Sequence, residues 1–184
     1  MEFLKSNYNI ISPLLFILFI ILAHLLATNN YDFSKNTISD LGSQGYDKKL
    51  IMQIGFVLFG VILASGIFSN GLTWRTFPIL IYGLCVAMTG IFCTKPFFEF
   101  ANYSTTQSTI HSVFAQIAGI SFSVGILTQL FFTTDNNTRL IHVFFFVLII
   151  VLSISFGLLR NYQGIAQRVL YLTSFIWLIK YYNP

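Results

Sequence analysis

The sequence predicts an all-α, polytopic membrane protein: a six-transmembrane-helix bundle with both termini on the same side. Three observations lead there. Of 184 residues, 55% are hydrophobic and 9% charged, whereas a soluble domain carries about a quarter charged residues. Mean hydropathy is +0.76. Apolar runs near the ~20 residues that a bilayer requires recur through the chain, with no interval long enough for a second core. Residues 1–184 therefore read as one transmembrane domain.

Hydropathy places the spans at about 9–28, 50–68, 77–94, 110–132, 140–159 and 164–180. The first follows a single Lys5, is longer than a secretory apolar region and lacks an A-x-A cleavage site, so it reads as a span. The second carries Gly55, Gly60 and Gly66 as packing positions. The third holds Cys85 and Cys93, about 12 Å apart at 1.5 Å per helical residue, too far for a disulfide. In the fourth, Ala115, Gly119 and Ser123 recur every four residues and predict close backbone approach, with this span central. The fifth opens with His142, and the sixth follows the tight turn Arg160 to Gly164.

Six spans put the connectors Asn70 to Thr76 and Thr133 to Arg139 beside the termini. The opposite, loop side holds the polar opening connector, the stretch Lys95 to Thr109 and the 160–164 turn. Tyr8, Trp74, Trp177, Tyr181 and Tyr182 predict an aromatic belt at the terminal side, and Tyr31, Tyr46, Tyr103 and Tyr162 one at the loop side. Lys and Arg lean weakly toward a cytoplasmic loop side. The net charge of +4 does not indicate nucleic acid, because the basic residues are scattered singly.

Ionisable groups near hydrocarbon are costly and mark candidate sites. Asp40 and His111 are the candidate catalytic pair, and Ser39, Glu99, Arg160 and Arg168 the candidate substrate contacts. All six fall on the loop side, with Arg168 about 6 Å inside the last span at 1.5 Å per residue. His24 and His142 read as structural. Above the cluster lies NTISDLGSQGYDKKL, Asn36 to Leu50, within a connector longer than is common without a function. Ile38, Leu41 and Tyr46 suggest a short interfacial helix capped by Thr37 or Ser39. Each candidate has a plainer role: Ser39-Asp40 as a helix cap, His111 as a donor to a backbone carbonyl, Arg168 as a snorkelling cation. Neither a metal-ligand spacing nor a phosphate-loop, nucleophile-elbow or dinucleotide motif is present, so no cofactor is expected.

Ile38-Ser39-Asp40-Leu41-Gly42, Gly60, Pro96 and His111, in that order, resemble the prokaryotic six-span membrane family of unknown function 998. More distantly they are similar to the Frag1/DRAM/Sfk1-like proteins. The resemblance implies six spans and a loop-side pocket but supplies no reaction. Family members often carry an acid just after the proline, whereas this chain reads Lys95-Pro96-Phe97-Phe98-Glu99. The distant likeness implies cytosolic termini, against the charge bias, and the resemblance to a prokaryotic family implies a bacterial cytoplasmic membrane. The expected partners are membrane lipids, with a lipid or lipid-linked small molecule bound or modified at Asp40 and His111. The alternatives are a non-catalytic lipid-binding or transport protein and a structural subunit of a membrane complex.

Overall fold

The structure is a computed structural model that describes residues 2–99 and 102–183. It is all helical, with no strand among the described residues. The helices are α1 (Glu2–Leu25), α2 (Lys49–Asn70), α3 (Phe77–Ile91), α4 (Thr105–Phe132), α5 (Asn136–Leu158) and α6 (Gln163–Lys180). Four of them, α1, α2, α4 and α5, are long and apolar enough to cross a membrane. At 1.5 Å per residue α3 reaches only about 22 Å. The first turns of α6 are polar, with Gln163, Gln167 and Arg168.

Local chemistry sets the helix starts earlier than hydropathy does. Ser104 Oγ accepts from Gln107 N and starts α4 at Thr105. Asp135 caps α5 by accepting from Thr138 N at 2.8 Å. An N-cap side chain satisfies amides that the first turn leaves unpaired, a signal that apolarity does not carry. The third helix stops short of Thr94, ahead of Lys95-Pro96, where Pro restricts the residue before it.

Each helix packs on the next, and α6 returns to α1. The centre is aromatic: Phe16 of α1 lies 5.1 Å from Phe56 and 5.3 Å from Phe59, and Phe59 lies 5.6 Å from Phe175 of α6. Tyr82 of α3 meets Phe122 of α4, which meets Trp177. Gly60 lets α2 approach α3 closely, since a Cβ there would collide with the Gly83 carbonyl oxygen and Ala87.

Two packing expectations are corrected. Ala115 and Gly119 of α4 face outward, and a Cβ at Gly119 meets nothing within 4 Å. The stripe is thus unpartnered at these two positions while its third member, Ser123, is buried, and α2 rather than α4 is the most buried of the four long helices. The terminal-side belt is corrected as well. Tyr8 and Trp177 are 1% and 0% exposed, whereas Trp74 is 83% exposed. A ring with one polar atom suits a water–lipid boundary, but it suits a core equally when that atom finds a partner. Tyr8 and Tyr182 hydroxyls meet at 3.5 Å, and the Trp177 indole donates to His142.

Candidate functional site

The polar connector between α1 and α2 is a folded cover on one end of the bundle, not an open loop. Ile38, Leu41, Ser43, Gln44 and Tyr46 are all buried. Its centre is one 3-10 turn, Ser39–Gly42, shorter than the expected interfacial helix. Thr37 caps it. The Thr37 hydroxyl accepts from Asp40 N at 3.2 Å, and Asp40 Oδ2 accepts from Thr37 N at 2.7 Å. This reciprocal pair is a capping box with Asp in the acidic position.

Every neighbouring helix fastens this cover. From α6, Gln167 Oε1 accepts from Ile38 N at 2.6 Å, and its Nε2 donates to Ser39 Oγ at 3.4 Å. Gln44 donates to the carbonyls of Cys93 and Ser104 and accepts from Ser104 N, which ties the cover to the α3–α4 joint. Gln53 of α2 reaches the Gly42 carbonyl and the Cys93 thiol.

Arg168 supplies the largest fastener. Its Nη1 donates to the carbonyls of Phe33 and Asn36, each at 3.0 Å. Its Nη2 donates to His24 Nε2 at 2.7 Å and to the Tyr31 hydroxyl. The guanidinium also lies 4.0 Å over the Phe33 ring. The histidine tautomer follows from its other bond: His24 Nδ1 lies 2.7 Å from the Ile20 carbonyl. A carbonyl can only accept, so the proton is on Nδ1 and the Nε2 lone pair is what Arg168 meets. Tyr31 passes its own proton to the carbonyls of Asn36 and Thr37. Burial pushes the Tyr31 hydroxyl up to about 12, with Arg168 acting against it, so it stays a donor at neutral pH. Four of the five Arg168 N–H groups are thus engaged within the chain, and Nε is buried without a partner.

His111 lies two turns inside α4, about 9 Å from its start at 1.5 Å per residue, and is 5% exposed. Its Nδ1 lies 3.0 Å from the Thr89 carbonyl and 2.8 Å from that of Phe92. These are carbonyls left over at the end of α3. Two carbonyl partners force Nδ1 to carry the proton, which leaves the lone pair on Nε2. That atom has no hydrogen-bond partner among the described residues. Asp40 and His111 lie within electrostatic reach of each other, without a hydrogen bond between them. Tyr31 senses Asp40 and Tyr46 in the same way.

The candidates therefore divide. Asp40, Ser39 and Arg168 gather at the connector end, joined through Tyr31, Gln167 and the Asn36–Thr37 backbone, and His111 lies within electrostatic reach of Asp40. Arg160 and Glu99 are exposed, with no hydrogen bond among the described residues, and are not brought in. Reading for charges passed over Gln44, Gln53, Gln167 and Tyr31. Amides inside apolar helices were the available signal, since a buried amide without a partner is costly too. Among the described residues no three His, Cys, Asp or Glu side chains gather to hold a metal.

Asp40 forms no ion pair; the pair formed among the described residues is exposed Lys35–Asp32. Burial raises the Asp40 carboxyl above the ordinary carboxylate range, against the opposing hydrogen bonds of Thr37. A raised folded value means that this group contributes stability below the ordinary range, and that the contribution is lost as pH rises through the folded value. Asp40→Asn keeps the acceptor for Thr37 N and removes the charge. The variant should lose less thermal stability than wild type as pH rises from the ordinary carboxylate value of about 4 toward neutral, as read by unfolding in detergent. An identical pH dependence in the two proteins would contradict this burial argument.

A family model described as protein of unknown function (DUF998) matches residues 10–181. No curated protein and no solved structure matches the chain.

Proposed function

We infer that this chain, which belongs to the family of proteins of unknown function DUF998, is an integral membrane protein that binds the polar group of a lipid or lipid-linked molecule at its connector end. Asp40 and His111 exchange a proton with the bound group. The observation that carries this reading is the pair itself: a half-buried carboxyl outside any ion pair among the described residues, within electrostatic reach of an imidazole whose free lone pair is oriented by the end of α3. A proton arriving at Nε2 leaves both carbonyl bonds at Nδ1 intact, so the ring need not turn. Proton transfer by a positioned carboxyl and imidazole is ordinary acid–base chemistry, and an ionisable pair beside hydrocarbon is expensive to keep without a use.

In this reading six helices span a bacterial cytoplasmic membrane, with α3 and α6 completing the bundle despite their lesser length or apolarity, and the termini are cytosolic. A non-catalytic binding role or a place in a membrane complex is the second reading. Arg168 favours it, because the Phe33 and Asn36 carbonyls, His24 and Tyr31 already occupy four of the five N–H groups that a headgroup would need.

The test compares lipid extracts from cells overproducing wild type, Asp40→Asn, His111→Gln and an empty vector, alongside lipids retained by each purified protein. A pool altered by wild type alone, with all three proteins retaining the same lipid, supports proton exchange. Retention lost in the variants without any altered pool supports binding alone. Folded variants identical to wild type in both readouts would remove the site.

A further inference from the structure

The opposite end of the bundle holds a second polar recess. A groove of about 300 Å³ is lined by Arg75, Gln129, His142, Asp135 and neighbouring threonines. Its lining is rich in donors whose orientation is forced. Arg75 Nη2 donates to Gln129 Oε1 at 3.0 Å and to the carbonyl of Asn183, which also lines the groove, at 2.9 Å. Arginine can only donate, so the Gln129 oxygen faces it and the NH2 group points elsewhere. That nitrogen is buried without a partner, as is Arg75 Nε, and Gln129 is 1% exposed. His142, equally buried, accepts the Trp177 indole proton at Nδ1, at 3.1 Å. Its neutral ring must then carry hydrogen on Nε2, which has no partner among the described residues.

Gln129 on α4 and Arg75 on the α2–α3 connector therefore each bring a buried donor without a partner to the wall of one groove, and His142 on α5 lines it with a further donor. A buried donor left unsatisfied is costly, so such an atom invites an acceptor. The arginine has no carboxylate within ion-pair distance among the described residues. Asp135 lines the groove, but its Oδ2 accepts from both Thr138 N and Thr138 Oγ1. A second cation, Arg139, is tied to the Thr133 carbonyl at the rim. We propose that this groove binds an oxyanion of the phosphate class, either a lipid headgroup phosphate or a free phosphate ester. An oxyanion offers several acceptor oxygens to donors on separate elements, and its charge answers the guanidinium.

Trp177 reports on the groove through His142. In a Trp74→Phe background it is the remaining tryptophan of two. The full chain in nanodiscs of a phosphate-free glycolipid is titrated with inorganic phosphate, with chloride at equal ionic strength as control. A parallel sample carries phosphatidic acid. The expected result is a saturable change in Trp177 emission with phosphate or with phosphatidic acid, and not with chloride. Response to free phosphate assigns a soluble anion, and response confined to phosphatidic acid assigns a lipid. Gln129→Glu places a carboxylate against Arg75 and should weaken the response at least tenfold while raising the unfolding temperature. Arg75→Gln should weaken it without that rise. Silence toward both phosphate sources in wild type, or a response undiminished in Gln129→Glu, would overturn the proposal.

Discussion

Arg168→Ala is expected to unfasten the connector and cost about 3–5 kcal/mol, since hydrogen bonds to a charged group contribute about 1.5–3 kcal/mol each and do not add fully. The change strips partners from the Phe33 and Asn36 carbonyls, His24 Nε2 and the Tyr31 hydroxyl together. Thermal unfolding in detergent measures the loss. Trypsin gives a local readout, because Lys35, Lys48 and Lys49 lie in or beside the connector. Cleavage there should quicken about tenfold or more if opening costs about 1.4 kcal/mol less than in wild type. Arg168→Lys should resemble the alanine variant, because one ammonium cannot present a planar fork to four acceptors. Unchanged cleavage and unfolding in Arg168→Ala would refute the fastener.

Gly164→Ala should fail for a related reason. Gly164 lies one turn before Arg168, and the connector's backbone runs directly against it. A Cβ there would collide with the carbonyl oxygens of Asn36 and Phe33 and approach Arg168 Nη1 to 2.8 Å. Beside it, Ile165 N donates to the Ser34 carbonyl at 3.3 Å. Alanine favours a helix over glycine by about 1 kcal/mol, so the intrinsic effect is stabilising. A net loss of about 2 kcal/mol in thermal unfolding would therefore put the collision at about 3 kcal/mol, and a gain would refute the close approach. Because both changes disturb the same carbonyls, the double variant should lose less than the sum of the singles.

These two residues show how differently a sequence exposes its parts. Arg168 is legible as an ionisable group at the head of an apolar run. Gly164 is not, because its meaning is the space that a side chain would take, and that space exists only once residues 33–36 fold onto α6. His111 falls between. Its cost in an apolar helix flags it, but which nitrogen carries the proton depends on carbonyls of Thr89 and Phe92, 22 and 19 residues away. The terminal-side aromatic belt misled because indole and phenol satisfy a buried partner as readily as a lipid headgroup. The stripe of Ala115 and Gly119 misled because small residues permit close packing without requiring it.

Composition and apolar run length determined on their own that the chain is helical and membrane-like, since hydrocarbon needs both apolar side chains and internally paired backbone. Asp40, His111 and Arg168 were singled out by the same rule of cost. Only the folded chain decided that the arginine's donors would be spent on the connector, that amides would pin that cover, and that unanswered donors would line a groove at the far end. Hydrogen bonds between residues up to 144 positions apart settle those matters, and their geometry exists only after the helices have packed.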